Sequence, residues 1–334
     1  MSKYLYLILS TLFLSCCGQK SATKNNDPSK EDTAVASGSP SATTPIFDAD
    51  SAYAYVAAQV AFGPRVPNSE AHIACAAYLA SELELRGAQL YVQEAVVTAY
   101  NGDKLNAKNI IGSFNPEKKR RVLLFAHWDS RPYADWDADE ANHYKPIDGA
   151  DDGGSGVGVL LEIARHIGQN PPDVGIDIIF FDAEDYGVPV FLNESHQDDY
   201  CLGSQYWAKN PHVPNYTAEY GILLDMVGAK GATFYKEGTS MRYASRYVEK
   251  VWSTARNLGY GKYFINANGA GITDDHEYVI KGRRIPCIDI INYDPNSEKG
   301  FGAYWHTVND NMDIIDRQTL KAVGQTVLEV IYNN

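Results

Sequence analysis

The sequence predicts an α/β fold: a three-layer α/β/α sandwich around a central mixed, largely parallel sheet. Three observations predict it. Short apolar runs at 122–126, 176–181, 221–227 and 285–291 have the length and composition of buried strands. Segments of helical periodicity stand between them, and strands that alternate with helices imply parallel pairing with helices on both faces. Several strand-like stretches end in ionisable residues: Ala126-His127-Trp128-Asp129, Asp182-Ala183-Glu184-Asp185 and Leu224-Asp225. In such folds ligands bind outside the carboxyl ends of the strands, so these stretches can converge on one site.

Residues 1–17 read as a targeting leader. Lys3 supplies the positive start, and 4–14 an apolar run too short to span a bilayer as a permanent helix. It ends Leu14-Ser15-Cys16-Cys17-Gly18, similar to a bacterial lipoprotein cleavage site, with Cys17 preferred over Cys16 as the lipidated residue. The alternative is plain secretion with both cysteines lost. Residues 18–44 hold Ser, Thr, Ala, Asp, Asn and Lys with almost no large apolar side chain, and read as a disordered tether. A single catalytic domain is expected over 45–334.

Within that domain, helices are expected at 51–62 and 69–85, the second ending at Gly87, and strands at 89–98 and 109–114. A basic turn at 118–121 leads into the strand 122–126. After the strand 176–181 comes a polar loop, 187–200, then a helix at 202–209. The strand 221–227 precedes a helix at 241–258. Asp274-Asp275-His276 opens a short helix ending near Gly282, and the strand 285–291 follows. A loop at 295–303, Trp305-His306 and an amphipathic helix at 316–332 close the chain. No internal repeat is present.

Composition narrows the function. A formal net charge of −13 without a basic stripe argues against a nucleic-acid partner. Aromatic residues make up 12%, with 23 Tyr; most serve packing, and pocket walls are one further use. Outside the leader, Cys75, Cys201 and Cys287 allow at most one disulfide. Cys75 and Cys287 lie in apolar runs and are expected as buried free thiols.

The stretch 148–161, DGADDGGSGVGVLL, puts acids on a glycine-rich turn and then opens into a helix pattern at Val157, Leu160, Leu161 and Ala164. A carboxylate there sits near the positive end of a helix, which suits a metal-binding acid. His127, Asp152, Asp185, Asp225 and His306 each stand beside a buried strand or a tight turn. Imidazole and carboxylate are the ligands of a catalytic zinc, which keeps one position open. No HExxH helix exists, so the ligands must come from separate loops. One such residue alone reads as a hydrogen-bonded loop residue; five together do not. Glu184 precedes Asp185, and neighbours leaving a strand point in different directions. One can bind metal while the other faces substrate as a general acid/base, its pKa raised by burial beside like charge.

The resemblance is carried by Phe62-Gly63-Pro64-Arg65-Val66-Pro67, His127-Trp128-Asp129-Ser130, Phe180-Phe181-Asp182-Ala183-Glu184-Asp185, Asp274-Asp275-His276 and Trp305-His306-Thr307, in this order. From Ser51 onward the chain resembles the zinc-dependent glutaminyl cyclases of the animal type and their bacterial relatives, which share a fold with the co-catalytic zinc aminopeptidases. The resemblance implies one zinc per chain, held by Asp152, Asp185 and His306. Asp152 is preferred over Asp151 because it stands two residues before Gly154-Ser155-Gly156, as the ligand does in related aminopeptidases. It implies Glu184 as proton shuttle, Asp225 and Asp274 as a hydrogen-bonded acid pair, and Trp305 as a pocket wall. The implied substrates are peptides or proteins with an N-terminal Gln, cyclised to pyroglutamate with release of ammonia. A monomer is expected, lipid-anchored to the membrane of a bacterial cell envelope on the periplasmic or outer surface.

The chain departs from the animal pattern in three places. Asp185 replaces a longer Glu, so its loop must come closer to the metal. The loop 187–200 lacks the animal enzymes' pocket tryptophan, for which Phe191 or Tyr186 is the expected substitute. Ala126 stands where those enzymes have a disulfide cysteine. A two-zinc aminopeptidase is the main rival: His127 and Asp225 would hold one metal, Asp185 and His306 the other, with Asp152 bridging. Asp274 favours the cyclase, because aminopeptidases generally carry a small neutral residue before Asp-His; Trp305 favours it too. A non-catalytic binding protein on a hydrolase fold is the third reading, and Glu184 beside Asp185 speaks against it.

Overall fold

The structure is a computed structural model that describes residues 43–334. The expected leader and all but the last two residues of the expected tether lie outside the described residues. Among the described residues, no helix is long and apolar enough to cross a membrane.

Six strands form the central sheet: β1 (Gln89–Thr98), β2 (Lys104–Phe114), β3 (Arg121–His127), β4 (Gly175–Phe181), β5 (Tyr220–Asp225) and β8 (Cys287–Ile291). Their spatial order is β1-β2-β4-β3-β5-β8. The outer hairpin β1–β2 is antiparallel and joins β4 antiparallel, while β4, β3, β5 and β8 run parallel. The mixed, largely parallel sheet is therefore as the sequence predicts.

The apolar runs bury alternate residues on opposite faces, as the period of two requires. Val122, Leu124, Ala126, Ile176, Ile178 and Phe180 face one core. Leu123, Phe125, Ile179 and Phe181 face the other. The first face is covered by α1 (Ala49–Val60), α2 (Glu70–Leu85), α3 (Gly154–Gln169), α5 (Gly238–Asn257) and α7 (Arg317–Tyr332). The second is covered by α4 (Leu202–Lys209) and α6 (Asp275–Arg283). This is the three-layer sandwich.

Asp48 caps α1 and Ser69 caps α2, each accepting from amides of the first turn. Asp274 caps α6 in the same way. Two short strands escaped the sequence reading: β6 (Phe234–Lys236) and β7 (Phe264–Asn268), which pair parallel with each other. Strand β2 starts five residues earlier than expected. Its first half, Lys104–Lys108, pairs with β1 while showing alternate side chains to solvent, so it lacks the continuous apolar run that marks the rest.

The strand order reverses at β3. The connection β3–α3–β4 covers one face and β4–α4–β5 the other. A crevice at the carboxyl end of β3 follows from that topology, and His127 is the last residue of β3. Helix α3 approaches the sheet closely behind it. A Cβ on Gly156 would lie 2.1 Å from the Leu224 carbonyl oxygen. Gly156→Ala should therefore push α3 off β5 and destabilise the protein by about 3 kcal/mol. Urea denaturation of the purified variant checks this; a change below about 0.5 kcal/mol would refute it.

Candidate active site and metal centre

The four parallel strands deliver their carboxyl ends to one edge, and the predicted residues meet there. A cavity of about 320 Å³ is lined by Asp152, Glu184, Asp185, Asp225, Asp274 and His306, with Tyr200, Met226, Ile272, Thr273, Ile291, Phe301 and Trp305 completing its walls. His127 lies just beneath, 1% exposed.

Each ligand-bearing loop is held through its backbone. Asp129 Oδ1 accepts from the Glu184 amide (3.0 Å) and Oδ2 from the Asp185 amide (3.2 Å). Asp310 does the same for the acidic turn: Oδ1 accepts from the Asp151 amide (2.8 Å) and Oδ2 from the Asp152 amide (3.1 Å). Arg65 is fully buried. Its guanidinium donates to the carbonyl oxygens of Trp128 (3.1 Å) and Gly149 (2.8 Å), and to that of Asp148. The turn also needs Gly153, whose φ is +84° and where a Cβ would lie 2.7 Å from the Asp129 carbonyl oxygen and 2.9 Å from the His127 ring. Ala183, Met226 and His306 hold φ of 51°, 47° and 53°. Left-handed backbone at three non-glycine residues beside the ligands is strain that the surrounding contacts hold in place.

Of the two adjacent acids on the turn, Asp151 is consumed by structure. Its Oδ1 accepts from the Gly228 amide (2.7 Å) and Oδ2 from the Tyr304 hydroxyl (2.6 Å). Asp152 instead stands between two histidines: Oδ1 is 3.0 Å from His127 Nε2, and Oδ2 is 3.7 Å from His306 Nε2. His306 Nε2 is also 3.3 Å from Asp185 Oδ1, and His127 Nε2 is 3.3 Å from Asp225 Oδ1.

These side chains fit a metal ion. Zinc–ligand bonds of about 2.0–2.2 Å in a tetrahedron put neighbouring ligand atoms about 3.3–3.6 Å apart, and the separations of 3.3 and 3.7 Å agree. His127 Nε2, Asp225 Oδ1 and Asp185 Oδ2 are buried with no hydrogen-bond partner. The acids and imidazoles are close to each other yet aimed at common points rather than at one another. Two triads that each combine histidine with Asp152, Asp152/Asp185/His306 and His127/Asp152/Asp225, lie among the described residues and share that acid.

The electrostatics follow from burying so many acids together. Burial, then Asp185, pushes Asp152 up to about 6. Burial raises Glu184 well above the usual carboxylate range, with Asp185 and Asp274 adding and His127 opposing. Burial, then Asp225 and Asp275, does the same to Asp274. For His127, burial pulls the pKa down, but Asp129, Asp152 and Asp225 outweigh it and hold the ring well above its ordinary value.

Phe191 does not line the cavity, which corrects the expectation for it. Its ring lies 4.7 Å from that of Tyr144, 5.7 Å from Tyr133 and 5.9 Å from His143. The Val190 amide donates to Asp135 (2.9 Å), which fixes this turn against the 131–145 loop and turns Phe191 away. Tyr186 packs beside Ala99, Leu105 and Ala183 instead. The aromatic walls are Trp305, Phe301 and Tyr200. Trp305 stacks on His306 with centroids 3.7 Å apart, and Phe301 lies 4.8 Å from Trp305.

Sequence reasoning missed Arg131, Asp135, Asp310 and Cys201. The Cys201 thiol donates to Glu184 Oε1 (3.0 Å). All three cysteines of the domain are buried and free.

Without metal, the acids make stability fall with pH. Asp152 and Asp275 sit near 6 and 7 in the folded chain, with burial the first cause of each, and near 4 when unfolded. Between pH 4 and 7 the unfolded chain has released protons that the folded one keeps, so rising pH favours unfolding. Each group costs about 1.4 kcal/mol per unit across its own window. Urea denaturation of the metal-free protein should show stability falling from pH 4.5 through 7, with saturating zinc flattening the fall. Stability that rises over this range would contradict the electrostatics described here.

The pattern of peptidase family M28 matches residues 109–331. Among solved structures, the chain is 73% identical to Tannerella forsythia glutaminyl cyclase, covering 87% of this chain and 100% of that one, with a TM-score of 0.86. It is 71% identical to a Zn-dependent exopeptidase from Parabacteroides distasonis, with the same coverage and a TM-score of 0.87. Among curated proteins, the glutaminyl-peptide cyclotransferase of Bos taurus is 29% identical over 252 residues, 66% of this chain and 64% of that protein. The match thus spans somewhat under two thirds of that relative's length. With two thirds of its residues inside the matched region, the chain belongs to peptidase family M28.

Proposed function

We propose that the protein is a zinc-dependent glutaminyl cyclase. It would convert the N-terminal Gln of peptides or proteins to pyroglutamate and release ammonia, with one zinc held by Asp152, Asp185 and His306. The observation that carries the reading is the placement of Asp274. Its carboxylate, the Glu184 carboxylate and the buried Cys201 thiol lie within 4.8 Å of one another, and the two acids line a cavity walled by Ile272, Met226, Ile291, Phe301 and Trp305. A cavity of about 320 Å³ is at the small end for ligand sites and suits a single side chain with its α-amine. The likeness to Tannerella forsythia glutaminyl cyclase supports the same reading.

A bound zinc would polarise the γ-carbonyl of the substrate glutamine. Glu184 takes a proton from the α-amine, which then attacks that carbonyl, and later returns a proton to the departing nitrogen. Its raised pKa suits a group that must both accept and donate near neutrality. Asp274, raised by burial and by Asp225, holds a proton and offers a hydrogen bond to the reacting groups. Trp305 limits water at the carbonyl, so that the internal amine rather than water is the nucleophile.

A two-zinc aminopeptidase is the second reading. The His127/Asp152/Asp225 triad favours it, since it offers a second set of ligands. Mass spectrometry separates the two. A peptide beginning in Gln should lose ammonia with its chain length unchanged, and a peptide beginning in Leu should stay intact. Free glutamine and a peptide one residue shorter would overturn the cyclase. Glu184→Gln should keep its zinc and lose turnover by about 10²–10⁴-fold; a variant within tenfold of the parent would remove Glu184 from the chemistry.

The domain is further proposed to act as a monomer, anchored by lipid at Cys17 to a membrane of the bacterial envelope and facing the periplasm or the outside. The apolar run at 4–14 followed by Leu14-Ser15-Cys16-Cys17 supports this. Replacing both Cys16 and Cys17 by Ser should move the protein from the detergent phase to the aqueous phase. Retention in the detergent phase would refute the anchor.

A further inference from the structure

We propose that Arg131, acting with Asp135, is a positioning residue for two metal-ligating side chains, Asp185 and His306, and that it sets the affinity of their site for a divalent metal ion. Arg131 is fully buried and Asp135 nearly so, with 0% and 3% exposure. The guanidinium grips Asp135 through two bonds, Nε to Oδ1 (2.7 Å) and a terminal nitrogen to Oδ2 (2.8 Å). Its other terminal nitrogen donates to Asp185 twice, to Oδ1 (3.1 Å) and to the main-chain oxygen (3.2 Å). One ligand is therefore held directly.

The other is held through Asp135. Its Oδ1 lies 3.3 Å from His306 Nδ1, close enough for an ion pair, and that buried nitrogen has no hydrogen-bond partner. A carboxylate at Nδ1 keeps the proton on that nitrogen and leaves the Nε2 lone pair for a metal. The same loop holds the His306 backbone. The Trp136 amide donates to the His306 carbonyl oxygen (3.1 Å), and Asp137 Oδ2 accepts from the Val308 amide (3.1 Å). His306 sits at φ 53°, a conformation that needs such contacts to persist.

The arrangement asks for arginine in particular. Two carboxylates and two main-chain oxygens surround the guanidinium, counting the Val188 carbonyl oxygen at 3.5 Å. A planar fork with five donors serves them together, whereas an ammonium on a flexible stem does not. The grip on the Asp185 main chain also accounts for how a short aspartate reaches the metal position. Arg131 draws its loop inward.

The test is zinc affinity, read without substrate, so a failure of the cyclase reading stays distinguishable. The full-length protein and the variants Arg131→Met, Arg131→Lys and Asp135→Asn are stripped of metal and titrated with zinc against a chromogenic chelator. Arg131→Met and Asp135→Asn should raise the zinc Kd 10–100-fold, with Arg131→Lys in between. Melting of the metal-free forms is recorded alongside. If Arg131→Met does not fold, Asp135→Asn decides alone, since it keeps volume and removes only the charged acceptor. A Kd within twofold of the parent in Asp135→Asn would overturn the proposal. So would equal destabilisation of the metal-free and zinc-loaded forms with unchanged Kd, the result expected of a structural pair.

Discussion

The site is governed by the cost of placing many carboxylates in a dry space. Asp152, Glu184, Asp185, Asp225 and Asp274 share one cavity, and Asp275 and Asp289 are buried behind it. Buried charge is tolerated only when paired or neutralised. The protein uses three remedies. His127, His306 and Arg131 bring positive charge into contact with the acids. Some acids keep their protons, as the raised values of Glu184, Asp274 and Asp289 indicate. The remainder converge on points that suit a cation. Paired charges, retained protons and a candidate cation site thus arise from one electrostatic problem.

That problem also dictates how the loops are fixed. Repelling side chains cannot hold one another, so the backbone beneath them is secured. Asp129 and Asp310 lie outside the cavity lining, and each takes two successive amides. The left-handed residues Ala183, Met226 and His306 make the sharp turns that aim the neighbouring side chains inward. Each acid thus spans two neighbouring main-chain donors, and the pair serve as fixtures that set the shape of the loops.

What the sequence could reveal divides along the same line. The strands β3, β4, β5 and β8 were legible because strands buried on both faces must be apolar throughout. His127 and Asp225 were legible because they end such runs, and Asp152 because the acids of its turn precede a glycine-rich helix start. Strands β6 and β7 were not: they are short, pair mainly with each other, and β7 ends in the exposed Asn266–Asn268 portion. Asp310 reaches the turn at 151 across 159 positions of chain, and no local pattern encodes a contact that distant. Arg131 stood four residues after His127 without any periodicity to single it out. Phe191 was misplaced because a loop's composition does not record its path; the Val190–Asp135 bond does.

The amide grips of Asp129 and Asp310 have a consequence for how such a scaffold diversifies. Because the loops are held by main-chain bonds, their shape is largely independent of which side chains point into the cavity. A change at a single inward position of a gripped loop, such as 184, can alter what the cavity presents without asking that loop to refold. Loop shape and cavity chemistry are thereby uncoupled, so one backbone can carry different sets of inward side chains.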